Sequence, residues 1–280
     1  MSGASKKLIL AKEKKDNEFY TLYEDIEKEI PFYKGHLKGK IIYMPCDNPE
    51  LSNFWKFFKN NFKELELKKI IATHISLNGE KVFKTEFSGN KEIKRELKGN
   101  GGFETQECRN IMSKCDIIIT NPPFSLFDNF INQIMEFNKN FLIIGHLTVL
   151  DRVYLFEKFK NKEIFTGNNR LNNFVNNNNE IKQVAALWYT NMPHETIKTS
   201  KIKTSKKNIE YTKYDNYDSI EVPKLELLRY YKEYEGNMGV PITFFIKHYD
   251  IDKYEVIDLI KPKLNGKDMF LRIIIKNKFK

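Results

Sequence analysis

"CDIIITNPPFSLF", residues 115–127, decides how this chain is read. Residues 116–119 read as a buried strand. Thr120 and Asn121 then lead straight into Pro122, Pro123 and Phe124, and a plain turn needs less than an amide, two prolines and an aromatic ring. From Ser125 onward, "SLFDNFINQIMEFN" spaces Leu126, Phe127, Phe130, Ile131 and Ile134 as one apolar face of a helix. In an open α/β sheet, ligands bind outside the carboxyl ends of the strands, where this turn falls.

The flanking sequence supplies the rest of such a sheet. "KIIYMPCD" reads as a strand ending at Asp47, and "NPELSNFWKFFKNNFKEL" as an amphipathic helix with Ser52 as its N-cap. "LKKIIATHIS" is a second strand, and "LNGEKVFKTEFSGN" has a hairpin pattern around Asn78-Gly79. "GNGGFETQECRNIMSKC" is a Gly-rich loop before a short helix, and "NFLIIGHL" is a further strand. The alternation predicts an α/β fold with a doubly wound, mostly parallel sheet over residues 1–150, entered through a charged helical lead-in. Asp47 and Asn121 both stand at carboxyl ends of its strands.

Residues 151–280 read as a second, strand-rich region. "GNNRLNNFVNNNNE" holds eight asparagines between positions 168 and 179 and reads as a surface loop; "QVAALWYTN" and "MFLRIIIKNK" read as strands. "IKTSK" occurs twice in tandem at 197–206, and residues 196–209 hold five lysines and no acid.

Composition bounds the class. With 280 residues, 41% hydrophobic and 14% aromatic, the chain builds a real core rather than a disordered coil. No apolar run approaches the roughly 18 residues of a membrane span, and the N-terminal "MSGASKKLILAKEKK" lacks the long apolar core of a signal peptide. The formal charge of +10 suits a polyanionic partner, though a Lys- and Asn-rich chain also reflects AT-rich codons. Cys46, Cys108 and Cys115 fit no zinc spacing and read as reduced thiols, so a cytoplasmic protein is expected and no metal.

Asn-Pro-Pro-Phe suits methyl transfer to an exocyclic amine. The lone pair of such an amine is delocalised into the base, which makes it a poor nucleophile. Two acceptors, the Asn121 side-chain carbonyl and the Pro122 main-chain carbonyl, draw on its hydrogens and free the lone pair. Pro122 and Pro123 fix where those carbonyls point, and Phe124 stacks on the base for about 1–3 kcal/mol. Reaching such a pocket requires the base to leave the duplex, at a cost of a few kcal/mol. The same residues also serve as a turn followed by a core ring.

The tetrapeptide resembles motif IV of amino-methyltransferases. Together with "NEFYTLYEDIEKEI", "CDNPELSNFWKFF", "FLIIGHL", "YDNYDSIEVPK", "GVPITFFIKHY" and "GKDMFLRIIIK", it makes the chain resemble the EcoRI-type adenine-specific DNA methyltransferases over about residues 16–278. The resemblance implies a class I methyltransferase-like core, S-adenosylmethionine as cofactor, double-stranded DNA as partner, a monomer, and a cognate restriction endonuclease as a further partner. It assigns the methionine end of the cofactor to Phe19, Tyr20 and Thr21. It places the first cofactor motif at Cys46, Asp47 and Asn53, without the usual Gly-x-Gly; Asp47 serves there as a cofactor ligand or as a helix cap. "GNGGF" stands where the cofactor's adenine is lined, with Phe103 as the stacking ring and Gly102 in place of an acid. The second strand also ends without the ribose-binding acid.

A recognition region after the catalytic motifs resembles the gamma class. Asparagine reads adenine bidentately, so Arg170 and Phe174 are candidates for DNA contact. Trp188, Asn191 and His194 are candidates in "LWYTNMPH", and Lys201 and Lys203 are candidates for the phosphates. Methylation of RNA or of a protein glutamine by the same tetrapeptide, and a DNA-binding module that has lost catalysis, stand as alternatives.

Overall fold

The computed structural model describes residues 20–76, 80–176, 180–195, 211–246 and 253–278. They divide into two compact units, one within Met1–Leu147 and Thr166–Glu195, the other within Thr148–Phe165 and Thr196–Lys280. Residues 166–195, which the sequence reading put in the second region, therefore complete the first.

In the first unit one sheet contains β1 (Tyr20–Thr21), β2 (Ile41–Met44), β3 (Lys69–Ala72), β4 (Phe83–Phe87), β5 (Glu92–Glu96), β6 (Ile117–Thr120), β7 (Asn140–His146), β8 (Phe165–Val175) and β9 (Ile181–Thr190). Their spatial order is β1-β8-β9-β7-β6-β2-β3-β4-β5. The centre, β3-β2-β6-β7, is parallel. β4 runs antiparallel to β3, β5 to β4, β9 to β7 and β1 to β8. The expected mostly parallel sheet is thus a mixed one. For β4 and β5 the cause is connection length: a parallel return needs a crossover of a dozen or more residues, and the links from β3 to β4 (residues 73–82) and from β4 to β5 (residues 88–91) are shorter. The sheet and its helices still make an α/β fold.

Alternate residues of the central strands face opposite layers of helices. Ile42, Met44, Ile117, Ile119, Leu142, Ile144 and Trp188 share a core with α1 (Tyr23–Glu29), the short α2 (Lys34–Leu37) and α3 (Asn53–Asn60). α3 buries Phe54, Trp55, Phe57 and Phe58; at about 1.5–3 kcal/mol each, these rings anchor it to the sheet. Ser52 accepts from Trp55 N at 3.2 Å, the cap expected from sequence. α4 (Gln106–Lys114) is capped by Thr105. α5 (Phe127–Glu136) covers the other face, its Phe127 ring 5.5 Å from Tyr189.

The asparagine-rich stretch is not the expected surface loop: up to Val175 it is β8, which buries Thr166, Leu171 and Phe174. The hairpin expected around Asn78-Gly79 falls on residues 77–79, outside the described residues; β4 and β5 form the hairpin there, turning at Gly89 with φ +88°.

In the second unit α6 (Val153–Lys160) precedes β10 (Ile220–Glu221), β11 (Met238–Pro241), β12 (Tyr254–Ile260), β13 (Lys263–Leu264), β14 (Lys267–Asp268) and β15 (Arg272–Asn277). Four of these strands form a sheet in the order β10-β11-β15-β12, and β13-β14 is a separate hairpin. Asp215 fixes that hairpin's tip by accepting from Asn265 N at 3.2 Å and Gly266 N at 2.7 Å. Among the described residues no helix is long and apolar enough to cross a membrane.

Candidate functional site

The carboxyl ends of three adjacent parallel strands meet at Asp47. Its backbone N donates to Thr73 O, beyond β3, at 3.0 Å. One carboxylate oxygen accepts from Ser52 Oγ at 2.6 Å, the other from Thr120 Oγ1, the last residue of β6, at 2.5 Å. The side chain is turned inward and is only 6% exposed. Burial pushes its carboxyl up to about 6, while the hydroxyls of Ser52 and Thr120 pull the other way.

A carboxyl raised in the folded state contributes stability below its ordinary value of 3.8 and loses it as pH rises through 6. By the size of the shift, about 3 kcal/mol is lost over that window. Asp47→Asn, which does not ionise, should therefore gain melting temperature relative to the native chain between pH 4.5 and 7.5. Thermal unfolding across that range checks this; a pH-independent difference would contradict it.

Asn121 follows Thr120 directly and is half-buried; Pro122 is buried, Pro123 half-buried. Phe124 lies between two rings, with centroids 6.2 Å from His146 at the end of β7 and 6.1 Å from Phe174 in β8. Phe174 pairs with Thr21 in β1. Asn53 Nδ2, at the start of α3, donates to Thr21 O at 2.8 Å. Thr21 is 3% exposed, and among the described residues its Oγ1 is buried with no partner. A buried hydroxyl left unmet costs about 1–3 kcal/mol, so the site fits a polar ligand there. Tyr20 is half-buried beside it, Cys46 half-buried before Asp47, and Phe19 lies outside the described residues.

β8 is held by a group the sequence reading did not single out. Glu29, fully buried at the end of α1, accepts from Asn168 N at 2.9 Å, Asn169 N at 2.8 Å and Tyr33 OH at 2.9 Å. Gly167 leaves the room, since a Cβ there would sit 2.2 Å from Glu29 Oε1. A lone Glu in an acidic helix gave no signal of this. His146 was also missed, although it ends the predicted strand "FLIIGHL".

The Gly-rich loop presses against the end of β3. Gly101 has φ +75°, and a Cβ on it would lie 2.1 Å from His74 O. Phe103 does not present the open stacking face expected of it. It is 2% exposed and meets Phe130 edge-on at 4.8 Å, while Gln133 Nε2 donates to its carbonyl at 2.9 Å.

Of the expected DNA-contacting residues that the structure describes, Trp188 and Phe174 lie in the core and Asn191 and His194 near the amino end of β7. Trp188 and Phe174 are 0% exposed, because both alternate inward in sheet strands: Trp188 packs on Phe54, and Phe174 walls Phe124. Asn191 accepts from Phe141 N at 2.9 Å and donates to Lys139 O at 3.1 Å, capping the amino end of β7. His194 packs on Tyr33 at 4.9 Å and bonds to Met192 O, near that same end. Arg170 is exposed on β8. Lys201 and Lys203 lie outside the described residues.

Residues 7–279 match the family described as adenine-specific methyltransferase EcoRI. The chain is 33% identical to the Type II methyltransferase M.EcoRI of Escherichia coli, covering 99% of this chain and 98% of that one. It is 33% identical to a Type II methyltransferase of Mycoplasma genitalium (95% and 97% covered) and 31% identical to Type II methyltransferase M.MpnI of Mycoplasma pneumoniae (96% and 97%).

Proposed function

Because the chain belongs to the EcoRI adenine-specific methyltransferase family, we propose that it methylates the exocyclic N6 amine of an adenine flipped out of duplex DNA, at a specific sequence, with S-adenosylmethionine as donor. The observation that carries this reading is Asn-Pro-Pro-Phe at the carboxyl end of β6, with Phe124 held between His146 and Phe174.

In this reading the Asn121 side-chain carbonyl and the Pro122 carbonyl accept the two amine hydrogens and bring the nitrogen toward tetrahedral geometry. Phe124 stacks on the extruded base and offsets part of the cost of extrusion. The amine proton leaves to solvent after the nitrogen has gained its methyl group, so no strong base is required. The cofactor, when bound, supplies an electrophilic methyl group. The hydroxyl of Thr21, with Tyr20 and Asn53 beside it, would hold the polar end of that donor. The second unit supplies contacts to DNA: its clamped β13-β14 hairpin carries exposed Lys263 and Lys267 and is followed by Phe270, 86% exposed. An exposed aromatic ring a few residues from exposed lysines suits a polyanion with stacked bases.

Fluorescence anisotropy with a labelled duplex over a salt series tests the partner. Contacts to about six to ten phosphates give a log–log slope of roughly −5 to −9. A flat dependence, or tighter binding to RNA of the same sequence, would overturn the DNA reading.

A further inference from the structure

We propose that Asp47 is a positioning residue, a buried strut that fixes the strand end carrying Asn121, rather than a ligand of the methyl donor. The proposal rests on the reading of Asn121 as an acceptor for the substrate amine. Three observations carry it.

First, both carboxylate oxygens are already engaged inside the protein, by Ser52 Oγ and Thr120 Oγ1. Little of the side chain is left to face a ligand.

Second, Asp47 is not needed as the cap of α3. Ser52 does that itself, accepting from Trp55 N while it donates to Asp47. The carboxylate serves a different end, linking the helix start to β6.

Third, the link closes a ring around the site. From Thr120 it passes through Asp47 and Ser52 to the neighbouring Asn53, which holds Thr21 O. Thr21 pairs with Phe174, Phe174 walls Phe124, and Phe124 stands three residues beyond Asn121. The rest of β6 is isoleucine and fully buried, whereas Thr120, equally buried, spends its hydroxyl on Asp47. A buried carboxylate accepting from two hydroxyls in low dielectric makes a short, stiff connection. Such a connection sets the backbone from which Asn121 and Pro122 direct their carbonyls, and misplacement there costs rate rather than binding.

Thr120→Val removes the donor with almost no change of shape, and Thr120→Ser restores it. Thr190→Val is the control, because Thr190 is as buried and donates to Phe141 O, near the amino end of β7. Two readouts are needed. Amide hydrogen exchange in the protein alone should quicken by about tenfold at residues 121 and 124–127 in Thr120→Val, the loss of one charge-assisted bond. It should return to native rates in Thr120→Ser and stay unchanged there in Thr190→Val. Methyl transfer to duplex DNA should show kcat lowered by about 10–100-fold in Thr120→Val, with KM for S-adenosylmethionine within about threefold and rescue by Thr120→Ser. Unchanged exchange in Thr120→Val overturns the strut. So does a raised KM for the donor with kcat kept, which would make the carboxylate a donor ligand after all. Quickened exchange in a protein whose native form methylates no DNA would instead overturn the functional reading and leave the strut standing.

Discussion

Asn121→Ala lowers methyl transfer by about 10²–10³-fold, the usual cost of deleting one group aimed at developing charge in a preorganised site. The residue is half-buried and follows β6 rather than forming part of its ladder, so alanine keeps the backbone course. Stability should change by less than about 1 kcal/mol. DNA affinity should stay within a few-fold, since phosphate contacts made elsewhere dominate it. Single-turnover transfer measured beside anisotropy separates these quantities. Equal losses in binding and transfer would make Asn121 a structural turn residue.

The second large effect is on folding. Gly101→Ala should destabilise the first unit by about 3 kcal/mol or more. The left-handed backbone at φ +75° costs any residue with a Cβ about 1–2 kcal/mol. The new methyl would also lie 2.1 Å from the carbonyl oxygen of His74, a backbone atom in the loop after β3 that cannot swing aside as a side chain does. Forcing that loop adds about 1–3 kcal/mol. Gly39 is the comparison: its φ is +71°, and a Cβ added there would meet nothing within 4 Å. Gly39→Ala should cost only the backbone part. Urea unfolding of both variants checks the difference; equal losses would remove the close approach at His74 from the account.

Much of the site's frame was legible because it is written in local signals. The strand before Asn-Pro-Pro-Phe, the helix after it and the Ser52 cap each follow from short-range sterics and hydrogen bonding, and each lies where the sequence places it. What failed depends on distant partners. The strand order and directions follow from connection lengths and pairing, and β8 hides under asparagines whose poor strand propensity is overridden by Glu29, Leu171 and Phe174. Trp188 and Phe103 are residue types that contact bases in many proteins, yet here Phe54 and Phe130 claim them for the core. Asp47 was legible as a polar residue at a strand end. That its carboxylate turns inward depends on Thr120, 73 positions away, which no local pattern announces.

The central claim is sequence-specific methylation of adenine through Asn121. Single-molecule sequencing of DNA from a methylation-free host expressing this chain, beside a host expressing Asn121→Ala, tests it most directly. The account predicts N6-methyladenine at one short motif in the first host and its loss in the second. A folded, soluble native chain that leaves every adenine unmodified, or a motif equally modified by Asn121→Ala, would contradict it.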